Sequence, residues 1–101
     1  MTNYYECHIT LIGEESTIRP KVEEIGWIFS CIRDDICLGE GIKCYATMHY
    51  SVSRYSFEKV VDLLEEFADQ LRARACNVIR TKIELVLYDS RQKDCRERIK
   101  L

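Results

Sequence analysis

Two short stretches of this 101-residue chain share one pattern. His8-Ile9-Thr10-Leu11 and His49-Tyr50-Ser51-Val52 each set out a histidine, an apolar residue, a hydroxyl residue and a second apolar residue. These are the only two histidines in the chain. Imidazole changes charge near neutral pH, so two of them can divide acid and base work. A hydroxyl two residues further along a strand points to the same side and can hydrogen-bond a substrate oxygen. Arg80 and Lys82, spaced by two, could offset negative charge developing there. The chemistry this set suits is phosphoryl transfer without a metal. One neutral imidazole takes a proton from water or a ribose hydroxyl, and the other, protonated, gives one to the leaving oxygen.

Such residues act together only if the fold puts them on one surface. Residues 4–12 alternate, with Tyr5, Cys7, Ile9 and Leu11 on one face and Tyr4, Glu6, His8 and Thr10 on the other, the period of a half-buried strand ended by Gly13. Residues 16–26 predict a short helix capped by Ser16 or Thr17, with Pro20 in its first turn and Gly26 beyond its end. Residues 27–32 are a bulky apolar strand.

A polar loop follows, in which Asp34, Asp35 and Glu40 are turn residues without calcium-loop spacing, and which could act as a lid. From Lys43 the alternation returns, with Cys44, Ala46, Met48 and Tyr50 on one side and Tyr45, Thr47, His49 and Ser51 on the other. Ser56 then caps a helix whose stripe is Phe57, Val60, Val61, Leu64, Phe67, Ala68, Leu71 and Ala75, with Asn77 as its left-handed terminator. Residues 78–89 form the last strand, with Ile79, Ile83, Leu85 and Leu87 inward and Arg80, Lys82, Glu84 and Tyr88 outward. Residues 90–101 carry no core pattern and read as a frayed tail or a short extra helix.

The order β-α-β-β-α-β predicts an α+β fold in one domain over residues 1–101. It is a ferredoxin-like sandwich with both helices on one face of a four-stranded, antiparallel-containing sheet. The first and third strands are expected side by side at its centre and parallel, which stands His8 beside His49 and Thr10 beside Ser51. The fourth strand, next to the first, brings Arg80 and Lys82 to the same helix-free face.

The paired H-h-[TS]-h motifs, where h is apolar, resemble the signature of the two-histidine (2H) phosphoesterase superfamily. Its members cleave or form cyclic phosphates and 2′-5′ linkages in RNA and nucleotides. The resemblance implies His8 and His49 as the acid–base pair, Thr10 and Ser51 as phosphate ligands, and a nucleotide or RNA-derived phosphate as substrate, with no cofactor. It covers eight residues. Family members are usually longer and two-lobed, with one motif per lobe, whereas 40 residues separate the two histidines here.

Other readings use the same face. His8, His49, Glu6 and Glu84 share it and could hold a metal, a less favoured alternative because nothing in their spacing sets a coordination geometry. Tyr4, Tyr45 and Tyr88 could stack a base, or with Val86 cover the sheet against a second copy in a homo-oligomer. A non-catalytic binding module for a nucleotide or single-stranded RNA is also open, although no aromatic RNP motif is present.

A net charge of −2 argues against a broad nucleic-acid surface. An apolar content of 47% with 32% charged residues is that of a globular chain. No apolar run approaches the ~20 residues needed to span a bilayer. The first residues lack a signal-peptide pattern, so a cytoplasmic location is expected. The six cysteines include no C-x-x-C pair, and several lie in apolar runs, the placement of reduced, buried thiols rather than zinc ligands or disulfide staples.

Overall fold

The structure, a computed structural model, describes residues 3–32 and 43–90. The loop with Asp34, Asp35 and Glu40, the tail from residue 91, and Cys37 and Cys95 lie outside the described residues. Six elements follow in the order β1 (Tyr4–Ile12), α1 (Glu15–Glu24), β2 (Ile28–Ile32), β3 (Lys43–Ser51), α2 (Phe57–Ala73) and β4 (Asn77–Val86).

The strands lie in the order β2-β3-β1-β4, and every neighbouring pair is antiparallel. The architecture is α+β, a four-stranded antiparallel sheet with two helices, compatible with a ferredoxin-like arrangement. The expected parallel pairing of β1 and β3 is overturned. The reason is chain direction: the crossover through α1 returns β2 parallel to β1, and the reversal into β3 then leaves β3 antiparallel to both.

Alternation explains why one face is closed. Cys7, Ile9 and Leu11 of β1 and Cys44 and Ala46 of β3 join Ile18 and Val22 of α1 and Val60, Leu64, Ala68 and Leu71 of α2 in one buried core, which Trp27 completes. Both helices therefore cover the same face. Truncating a core residue such as Leu64 to Ala typically costs about 2–5 kcal/mol. Cys7, Cys44 and Cys76 are buried and Cys31 is half-buried, all four as free thiols.

Ser56 caps α2 as expected, its hydroxyl accepting from the Lys59 N–H at 3.2 Å. Four boundary details differ from expectation. The first helix starts earlier, with Glu14 as N-cap and no side-chain cap, so Pro20 lies in the helix rather than in its first turn. The left-handed residue after α2 is Ala75 (φ 64°), not Asn77. Around it the Ala75 N–H bonds the Arg72 carbonyl at 3.0 Å and the Cys76 N–H bonds the Leu71 carbonyl at 3.0 Å, the pair of bonds that defines a Schellman turn.

In β4 the register shifts opposite Thr10 and Leu11, so Arg80 faces Thr10 while Val78 faces Leu11. This bulge turns Val78 toward the core and leaves Ile79 exposed. Finally, β4 ends at Val86 rather than at residue 89, and Leu85 and Leu87, expected inward, are 55% and 65% exposed.

Candidate functional site

The helix-free face carries the alternate residues of each strand, so β1 contributes Glu6, His8 and Thr10 while β3 contributes Tyr45, Thr47, His49 and Ser51. Antiparallel register sets their partners: Tyr4 faces Ser51, Glu6 faces His49, His8 faces Thr47 and Thr10 faces Tyr45. On the other side of β1, His8 faces Lys82, Glu6 faces Glu84 and Thr10 faces Arg80.

Register therefore separates the two hydroxyls expected to stand together. Ser51 lies six positions along β3 from the residue opposite Thr10, roughly 20 Å at strand spacing. Ser51 instead bonds locally, its Oγ 2.7 Å from Ser53 Oγ.

The two histidines do come together, although as diagonal rather than direct neighbours. His8 Nε2 is 3.3 Å and His49 Nε2 3.5 Å from the same oxygen, Glu6 Oε1. The two nitrogens are thus no farther apart than the sum of those distances. Their surroundings differ. His49 stacks on Tyr4, with ring centroids 4.6 Å apart, and Tyr4 in turn donates its hydroxyl to Asp89 Oδ2 at 3.0 Å. Both ring nitrogens of His49 are closed to solvent, and among the described residues neither has a hydrogen-bond partner. Tyr4 is itself buried, so its ring does not offer the stacking surface expected of it.

His8 is more open. Its Nδ1 lies 3.1 Å from Thr47 Oγ1, and its Nε2 lies 3.6 Å from Glu84 Oε1 as well as near Glu6. Lys82 Nζ is 2.9 Å from that Glu84 oxygen. Burial pushes the His8 pKa below 6.5, and the nearby Lys82 and His49 push the same way while Glu6 and Glu84 oppose them. The hydrogen bond from Lys82 holds the Glu84 carboxyl below its ordinary value.

A depression of about 300 Å³ opens beside His8. It is lined by His8 and Thr10 from β1, Ser30 and Ile32 from β2, Tyr45 and Thr47 from β3, and Arg80 and Lys82 from β4. Five of the seven residues expected in a site are thus brought together, and His49 and Ser51 fall outside. Arg80 makes no ion pair or hydrogen bond among the described residues, which leaves its guanidinium available to an anion.

Three participants lie outside the expected acid–base and phosphate-binding set: Thr47, which holds the His8 ring, and Glu6 and Glu84, expected on this face only as candidate metal ligands, which surround its other nitrogen. Antiparallel pairing of β1 with β3 was the missing signal.

Chemically, the depression offers cations and hydroxyls to an anion and one imidazole for proton exchange. Among the described residues no group of three or more His, Cys, Asp or Glu side chains is arranged to hold a metal ion. Among those residues, too, no helix is long and apolar enough to cross a membrane.

No family model matches this chain, and no curated protein or solved structure is a match for it. The likeness to two-histidine phosphoesterases rests on the eight motif residues alone.

Proposed function

We propose that this chain is a ferredoxin-like domain that holds a small phosphate-bearing ligand, of nucleotide size, in the depression on its helix-free face. One observation carries the reading: Arg80, Lys82, Thr10, Thr47 and His8 line a single concavity of about 300 Å³, at the lower end of the range of small-ligand sites. Arg80 and Lys82 supply charge, and the guanidinium fork suits phosphate oxygens. Thr10 and Thr47 supply hydroxyls, while Tyr45 and Ile32 provide a partly apolar wall for a base. Titration with nucleoside monophosphates, followed by calorimetry, tests this. Saturable binding that Arg80→Ala weakens supports it, and heat no different from buffer for every nucleotide tried refutes it.

A second reading is metal-independent hydrolysis of a cyclic or 2′-5′ phosphate by His8 and His49. The convergence of both Nε2 atoms on Glu6 favours it. It requires His49 to turn out from beneath Tyr4 and Glu6 to give way to the substrate. Hydrolysis of 2′,3′-cyclic nucleotides with EDTA present is the assay. Loss of turnover in both His8→Ala and His49→Ala supports catalysis, whereas binding without turnover leaves the domain a binding module.

A further inference from the structure

We infer that Cys31 and Cys44 are a redox-modification site that closes reversibly into a cross-strand disulfide on the helix side of the β2–β3 pair. The two are direct partners in the antiparallel ladder, and both are free thiols. Directly opposed residues in an antiparallel pair have Cα atoms about 4.5–5.5 Å apart, inside the roughly 4.4–6.8 Å that a disulfide spans. Their Cβ atoms start about 4.5–5.5 Å apart and must close to roughly 3.8 Å. That is a small movement for a five-residue strand, β2, which among the described residues pairs only with β3.

The other described cysteines lack this arrangement. Cys7 faces Met48 on one side and Ile83 on the other, and Cys76 lies between α2 and β4.

Exposure sets the order of events. Cys31 is half-buried and Cys44 fully buried, so an oxidant reaches Cys31 first. With a small-molecule disulfide such as oxidised glutathione, the Cys31 thiolate attacks one sulfur, forming a mixed disulfide and releasing one thiolate. The Cys44 thiolate then attacks the Cys31 sulfur, the protein disulfide forms, and the second small thiolate leaves. The two protons lost by the cysteines end on the two released thiols, and the small disulfide is the species reduced.

Burial, with a smaller contribution from Cys31, pushes the Cys44 thiol up to about 11, so the closing step is slow at neutral pH and speeds up as the thiolate fraction grows. A bond closed across directly opposed strands is readily reduced again.

On the opposite face the neighbouring pair, Ser30 and Tyr45, lines the depression. The crosslink fixes the spacing of that wall, a consequence that rests on the ligand reading, whereas the crosslink itself does not.

The test uses the full chain with Cys37→Ser and Cys95→Ser, incubated with oxidised glutathione, alkylated and mapped by mass spectrometry. The expected result is a linked Cys31–Cys44 peptide with Cys7 and Cys76 still alkylated, reversed by dithiothreitol. Its rate of formation rises about tenfold per pH unit from neutral toward mildly alkaline pH. Cys44→Ser is expected to stop at the mixed disulfide on Cys31. Continued alkylation of both Cys31 and Cys44, or a crosslink from either to Cys7 or Cys76, overturns the assignment. These readouts do not depend on whether phosphate binds.

Discussion

His8 and Thr47 face each other across the β1–β3 ladder, and His8 Nδ1 lies 3.1 Å from the threonine hydroxyl. The other ring nitrogen, Nε2, looks toward two carboxylate oxygens, on Glu6 and Glu84. A carboxylate only accepts, so in the neutral ring Nε2 carries the proton and Nδ1 accepts from Thr47. The ring is held from both ends, which orients it before any ligand arrives. Nitrogen-15 chemical shifts of the side chain are expected to report the Nε2–H tautomer. Glu6→Gln removes a charge that favours the imidazolium and is expected to lower the His8 pKa further. A neutral ring protonated on Nδ1, or a His8 pKa that rises in the variant, contradicts this arrangement.

The His8 environment also predicts how stability varies with pH. Its folded pKa lies below 6.5 because burial disfavours the charged ring. Between the folded value and the ordinary one the unfolded chain therefore binds more protons than the folded chain. Stability is fully present above pH 6.5 and is lost as the pH falls toward the folded pKa. Urea midpoints measured across this window are expected to decline on acidification, with a shallower decline in His8→Gln. Equal slopes in the two proteins would rule out His8 as the source.

Charge in the depression divides between Arg80, which makes no ion pair or hydrogen bond among the described residues, and Lys82, which Glu84 holds at 2.9 Å. Arg80→Ala is expected to weaken phosphate-ligand binding about tenfold, equivalent to roughly 1.4 kcal/mol. Glu84→Gln should act in the opposite direction. It releases Lys82 and removes a negative charge near the ligand, so affinity rises, and most at low salt. Calorimetric titration at two ionic strengths checks both. Affinity unmoved by either substitution places the anion elsewhere.

Ala75 pays for its left-handed backbone with steric strain that glycine does not feel. Ala75→Gly is expected to stabilise the fold by about 1 kcal/mol, since the Schellman hydrogen bonds are kept while the Cβ penalty goes. A higher urea midpoint with an unchanged m-value is the expected outcome. A lower midpoint shows that greater freedom of the unfolded glycine chain outweighs the relieved strain.

Much of this was legible in local pattern. Alternation in β1 and β3 assigned Glu6, His8, Thr10, Tyr45, Thr47, His49 and Ser51 to one face, and the apolar stripe with Ser56 delimited α2. These features depend on residues a few positions apart, where periodicity is informative. Pairing was less legible, because it joins distant segments whose offset is set by turns and side-chain packing. Reading β1 and β3 as parallel placed Thr10 with Ser51, whereas chain direction through the crossover and the return into β3 makes them antiparallel and brings Thr47 to His8. Two other misses are local but carry no residue signature. Ile79 and Val78 are equally apolar, so the bulge that exchanges them is silent in the sequence. Ala75 has no feature that favours a left-handed position, and Asn77 nearby offered a more conventional stop.

The central claim is that the helix-free face binds a phosphate-bearing ligand beside His8. Amide and side-chain NMR shifts followed during titration with a nucleoside monophosphate test it most directly. The account predicts saturable perturbations centred on His8, Thr10, Tyr45, Thr47, Arg80 and Lys82, with α1 and α2 little affected. A spectrum that does not change at saturating nucleotide, or perturbations confined to the helices, contradicts it.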